Sequence, residues 1–434
     1  NMQLVDPSVS IPFWDYTLDA YRYCHENEYF MVGSLGCWRA SVIKKSQIFF
    51  DDWFGAGSPE TPDHAVHRGR WGNTTVLQDA REYSSITNPY GLLRSPWNTD
   101  PTAHALRRHS QVLNQNLDPM VSCERWQDCF DSVDLASMNT CLNGATHGPI
   151  HILIGGQWFL NSALLENDHM VFQGGLAGDQ LLLAKILWRK GYLRCPETCS
   201  KDTPAEKCLC SCPMEYRHGA TPYEILVDKA EVMHWVVETS RGGIYYNKTE
   251  DHYHIMNKTL AEEEVLWNEI LLVLCNPGHP GEMYTSAAPY DPTFWLIHPS
   301  AERMLSWRRM LDHLSVHTFN QTWGYSHQGD PSDMGQICEW DDVSDFGLPF
   351  CYDSTCPGHN AADTTPFMGI VEEGEFPTNE EIYAYVAPWN EELPYMYDTY
   401  YWPHCNASGF QMGWQYLPND ISKLNTYLDE VHGR

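Results

Sequence analysis

His147-Gly148-Pro149-Ile150-His151-Ile152-Leu153-Ile154-Gly155-Gly156-Gln157-Trp158 is the stretch on which the fold turns. Two histidines four residues apart lie one above the other on a helix face, so both imidazoles can reach one metal ion. An apolar run follows, and the paired glycines end it in a turn. Spacing alone does not single this pair out: with 20 His in 434 residues, about one such pair is expected by chance. His313 and His317 repeat the spacing inside an ordinary amphipathic pattern, and a solvated or packed role is expected of them.

Context separates the two pairs. Downstream stands Asp291-Pro292-Thr293-Phe294-Trp295-Leu296-Ile297-His298-Pro299, running on to Ala301-Glu302-Arg303, and upstream stands Ile11-Pro12-Phe13-Trp14-Asp15-Tyr16. Taken alone, His298 reads as a buried histidine satisfied by hydrogen bonds. In order, however, H-x-x-x-H with a Gly-Gly turn and then D-P-x-F-x-x-x-H resembles the CuB half of tyrosinases, catechol oxidases and molluscan-type haemocyanins. The segment 11–16 is similar to the P-Y-W-D-W stretch that follows the CuA helices of those proteins. The resemblance covers 11–16, 147–158 and 289–310, with the aromatic-rich region between the first two.

That resemblance implies a mainly α fold: a type 3 copper helical-bundle core with long irregular loops, a disulfide-rich insertion and small β elements. It implies His147, His151 and His298 as copper ligands, with Phe294 packing over the metal at the catalytic centre. Neutral imidazoles suit copper. Asp291 is expected to anchor a turn and Arg303 to pair with a carboxylate. The implied activity is oxidation of a small phenol or catechol to a quinone with dioxygen. Oxygen carriage uses the same ligands, and a non-catalytic secreted structural or matrix glycoprotein with a degenerate copper fold is the alternative.

Departures from the family pattern shape these expectations. Ile297 stands where the family has the first of two adjacent histidines, and Glu302-Arg303 replaces Asp-Arg. Gly148 stands where many tyrosinases carry an Asn that helps to deprotonate a phenol, which weighs against monophenol hydroxylation more than diphenol oxidation. His298 lies 298 − 151 = 147 residues beyond His151. The division expected is therefore 1–158 as the first part of the core with the His pair, 159–285 as an inserted helical and Cys-rich subdomain, 286–320 as core with the third ligand, and 321–434 as a loop-rich extension with a terminal helix. Long insertions add little closure entropy.

No CuA set is visible. The ten residues before Ile11 contain no His, and His64 with His67, His104 with His109, and His252 with His254 read as surface or loop histidines. A fragment, a partner chain or missing segment carrying CuA, and a degenerate site all remain open.

Composition bounds the rest. Hydrophobic residues at 43% and aromatics at 13% exclude a disordered chain. A net charge of −30 makes nucleic acid an improbable partner. No apolar run approaches the roughly 18 residues that span a bilayer. Fifteen Cys include Cys195, Cys199, Cys208, Cys210 and Cys212 in one segment, a disulfide knot or a zinc site. Five candidate glycosylation sequons, at Asn73, Asn247, Asn257, Asn320 and Asn406, favour disulfides and secretion. The opening Asn1-Met2-Gln3-Leu4-Val5-Asp6 lacks a signal peptide, so a secreted protein is expected to begin further upstream.

Periodicity predicts helices over 146–154, 178–190, 222–238, 260–275, Ser300 to Thr318 with Ser300 as N-cap, and about Asp420 to Val431. Thr378-Asn379-Glu380-Glu381 predicts a capping box. Pro12 to Tyr16 is expected to be extended or turn-like, and 45–120 to form packed irregular loops.

Overall fold

The computed structural model describes residues 6, 8–26, 46–57, 63–75, 102, 104–107, 111–112, 115–116, 120–158, 177–196, 202–204, 207–233, 243–285, 287–321, 361–362, 364–365, 372 and 374–417. These residues are mainly helical, with three two-stranded antiparallel sheets: β1 (Gln111–Val112) with β2 (Gln115–Asn116), β3 (Gln157–Trp158) with β6 (His279–Pro280), and β4 (Ile244–Asn247) with β5 (His252–Ile255). The predicted helix over 420–431 lies outside them, as do His109 and Cys199.

Two large apolar cores organise the described residues. The first gathers Trp14 and Tyr16, the helices α1 (Tyr16–Glu26), α2 (Cys123–Phe130) and α3 (Leu135–Cys141), and a π-helical segment Leu142–His147 that runs into α4 (Gly148–Gly155). The second gathers α5 (Ala177–Arg189), the turns around Pro222–Lys229, the hairpin of β4 (Ile244–Asn247) with β5 (His252–Ile255), and α6 (Leu260–Leu274). The chain then returns to the first core with α7 (Phe294–His313), and later with Trp402, Cys405 and Met412.

The helices expected over 178–190 and 260–275 form nearly as read, and α6 opens with a Thr259–Glu262 capping box. Thr378 likewise caps α8 (Asn379–Tyr385) through Glu381. Three boundaries differ. The helix expected over 146–154 has no start of its own: helical backbone is unbroken from Leu135 to Gly155, with i→i+5 bonding up to Gly148, whose N–H meets the Asn143 carbonyl. The helix expected over 222–238 is interrupted after Lys229, where Glu231 takes a left-handed φ of 56°; Val232 and Met233 are helical again, and 234–238 lie outside the described residues. The one expected from Ser300 to Thr318 begins at Phe294 and ends at His313, so Ser300 is not its N-cap.

The reason for that last difference is tertiary. Pro299 lacks an N–H and reads as a break in sequence. In the fold, Trp14 N–H donates to the Leu296 carbonyl at 3.0 Å and Ser300 Oγ donates to the Trp14 carbonyl at 2.7 Å. The extended segment before α1 thus docks at the proline turn, and the helix passes through it.

Disulfides join Cys129 to Cys141, Cys195 to Cys210, Cys212 to Cys275 and Cys123 to Cys405. None of the described cysteines is free. The Cys-rich segment is therefore stapled by disulfides where they are described, against the zinc reading. Cys405 lies in α9 (Pro403–Ala407), so its bridge anchors the C-terminal region to α2. Buried arginines of α7 complete the attachment by donating to backbone carbonyls of the C-terminal region. Arg303 reaches Thr399 O at 2.7 Å and Tyr401 O at 3.1 Å, and Arg309 reaches Tyr383 O at 2.9 Å. No helix among the described residues is long and apolar enough to cross a membrane.

Candidate metal centre

His147 closes the π segment and His151 lies one turn on in α4. Two anchors set the rotation of this helix. Tyr16 OH donates to the Thr146 carbonyl at 3.0 Å from below. At the far end the helix meets the turn Glu282–Tyr284 so closely that a Cβ on Gly155 would stand 2.4 Å from Tyr284 N. Gly156, at φ 66°, then turns the chain into β3 (Gln157–Trp158), which pairs with β6 (His279–Pro280). A Cβ on Gly148 would stand 2.8 Å from the Asn143 carbonyl, so the π turn itself favours glycine there. Single π turns of this kind recur at functional sites.

His298 comes from α7, in its second turn. The helix start is held by Asp291, which accepts from Thr293 N–H at 2.9 Å and Thr293 Oγ1 at 2.7 Å. Arg107 clasps the same carboxylate bidentately at 2.5 and 2.6 Å, and both residues are fully buried. Burial works to raise Asp291, yet Arg107 and Thr293 hold it below the usual carboxylate range. Arg107 also donates to Phe54 O and Gly55 O, so the irregular region before residue 120 braces the ligand helix. Asp291 thus anchors a turn as expected, and Arg303 pairs with Asp15 at 3.3 Å.

The three imidazoles meet. His147 Nε2 lies 2.9 Å from His298 Nε2 and 2.8 Å from His151 Nε2. His151 Nδ1 donates to the Met283 carbonyl at 2.8 Å, which leaves its Nε2 as a lone pair directed at the cluster. Burial, then the neighbouring His151 and His298, depress His147 to about 3. Burial, then His151, depress His298 to about 4. His151 is lowered by burial, partly offset by the Met283 carbonyl. All three rings are neutral at physiological pH, as metal ligation requires.

Their hydrogen-bonding needs favour a cation. His147 Nε2 is close to two nitrogens but can carry only one proton. With the His151 lone pair fixed, one of the two short N···N contacts has no hydrogen between its atoms. A metal ion accepting all three lone pairs removes that conflict. Phe294 packs its ring on His298 with centroids 3.8 Å apart, and stands 5.8 Å from His151.

The other sequence candidates fall elsewhere. His313 stacks on Trp389, and His317 packs at a tilt against Tyr416. His67 bonds Asp63 and Asn73 at the surface, and His104 sits in an isolated bridge with Thr75. His64 takes a left-handed φ of 61°. His252 and His254 lie on β5 with Glu263 beside them. Cys123, His404 and Cys405 also cluster, but the two sulfurs are spent on a disulfide. Asn73, Asn257, Asn320 and Asn406 are exposed and Asn247 is half-buried. Arg107 and the Met283 carbonyl carried no sequence signal: one lies in an aperiodic loop, and the other is a backbone atom.

No family model matches this chain, and neither curated proteins nor solved structures yield a match.

Proposed function

We propose that this chain carries the CuB-type site of a secreted, tyrosinase-like type 3 copper oxidoreductase that converts phenols or catechols to quinones with dioxygen. The second copper site would come from a partner chain or a further segment. The observation that carries this reading is the convergence of three neutral imidazoles by Nε2, with His151 locked by the Met283 carbonyl. An all-imidazole donor set without carboxylate or thiolate suits copper, and the order of the flanking motifs resembles the copper family. Copper held there supplies the redox exchange between the phenol and dioxygen.

The chain's own residues have narrower tasks. Met283 fixes the tautomer of His151, and the buried setting keeps all three rings unprotonated. Phe294 walls the His298 side, and Trp295, half exposed beside it at 5.0 Å, offers an aromatic face to a substrate ring. Gly148 puts no polar side chain next to His147, so ortho-diphenols rather than monophenols are the expected substrates. Disulfides and five sequons support an oxidising, extracellular setting.

One observation favours a second reading, a non-catalytic structural or matrix glycoprotein: the described residues contain no second set of three histidines. Copper per polypeptide on native material, with oxidation of added catechol, separates the two. Two coppers and quinone formation support the oxidase. One copper without oxidation indicates a lone site, and none overturns the copper assignment in favour of the glycoprotein.

A further inference from the structure

The second core holds a cluster that the copper reading does not use. β4 and β5 pair with Tyr245 opposite His254 and Asn247 opposite His252. Two residues apart on one strand, His252 and His254 project from the same face. The Thr259–Glu262 capping box fixes where α6 begins, and the next residue, Glu263, is thereby aimed at that face. Glu263 is only 3% exposed, accepts from Ile255 N–H at 2.8 Å, and lies 3.2 Å from His254 Nδ1. The opposite ring nitrogen of His254 meets the Glu250 carboxylate at 2.7 Å. His252 is held by stacking on Tyr223, with centroids 4.2 Å apart and planes 12° from parallel. Among the described residues, no hydrogen bond uses its nitrogens.

We propose that His252, His254 and Glu263 form a binding site for a divalent transition metal of the zinc class, with Glu250 orienting His254. Ligand atoms of the three residues all lie within 4.8 Å of one another. The 3.2 Å between His254 Nδ1 and Glu263 suits two donors on one ion at roughly 2.0–2.2 Å each. Two imidazoles and a carboxylate, with a fourth position open, are a recurrent zinc donor set. A carboxylate on the far nitrogen of a ligating histidine is the usual outer partner, and Glu250 occupies that place.

Against the opposing effect of burial, Glu250 and Glu263 both face His254 and favour its protonated form, so a metal ion bound here displaces the His254 proton. The competing account is a plain salt-bridged His254 beside a His252 that only stacks on Tyr223, which leaves the ring nitrogens of His252 unused.

Zinc uptake by the full chain, measured by equilibrium dialysis at neutral pH, tests the site in parent, His298→Ala, His252→Ala and Glu250→Gln chains. The His298→Ala chain should retain one tightly held zinc. In that background, Glu250→Gln should weaken it about 10–100-fold, and His252→Ala at least as much. Because Glu263 is buried, its replacement endangers folding. His252 is half exposed, and an unchanged thermal midpoint will show that its variant is folded. Equal zinc affinity with and without His252, or no zinc retained by His298→Ala, would overturn the proposal.

Discussion

The pairs His147/His151 and His313/His317 share a four-residue spacing and come to opposite ends. Through the first pair, helical backbone is continuous, as a π turn feeding α4, and a third imidazole arrives from α7. Through the second, the helix stops at His313, Ser315 takes a left-handed φ of 55°, and His317 lies beyond the last turn. His317 N–H donates back to the Leu311 carbonyl, and its ring packs against Tyr416 and Phe130. Spacing therefore makes a site only where the helix spans both residues and remote structure delivers a further donor.

The strongest way to break this comparison is to remove what delivers the third donor. Asp291→Asn would strand Arg107 in the interior, and breaking a buried pair typically costs about 3–5 kcal/mol. Urea denaturation measures it, and unchanged stability would show that the α7 start does not rely on the pair. The pH dependence has a definite sign. Asp291 is held low in the folded state, so its contribution is complete above about 3.9 and disappears as pH falls through the lower folded value. The Asn variant should therefore show a flatter acid limb.

Next in size, His298→Ala should weaken copper binding at least about 100-fold, roughly 2.8 kcal/mol. His317→Ala should leave copper binding alone. Copper titration of both variants sharpens the contrast, and equal losses would erase it. A smaller effect is expected from Gly155→Ala, whose Cβ would press on the backbone of Tyr284. Overpacking of this kind costs about 1–3 kcal/mol, and the shift would also pull His151 from Met283, so copper affinity and the melting midpoint should fall together. Smallest of all, His313→Ala should change stability by no more than about 0.5 kcal/mol, since the residue is exposed and stacks on one ring. A calorimetric shift well beyond that would give the second pair an unrecognised structural role.

Legibility followed the range of the interactions. The helices near 178–190 and 260–275 were readable because apolar periodicity acts within a few residues, as does the Thr378 capping box that opens α8. Ser300 was misplaced as a cap because the partner that carries the helix through Pro299 is Trp14, 286 residues away. The π turn at Leu142–His147 was hidden too, since Gly148 looked like a missing side chain rather than a close approach to Asn143. His252 and His254 looked like loop histidines because strand, cap and facing helix meet only in the fold.

By itself the sequence determined a mainly helical chain, a Cys-rich segment, and three histidines set in ordered motifs as candidate ligands. The first two are matters of local spacing and composition, and the third rests on the order of motifs that resembles a copper family. Only the tertiary structure decided that the three Nε2 atoms face one another, that Met283 sets a tautomer, and that Arg107 braces the helix start from an irregular loop. Each of these depends on a carbonyl or a charge brought in from distant chain, buried where no water can replace it.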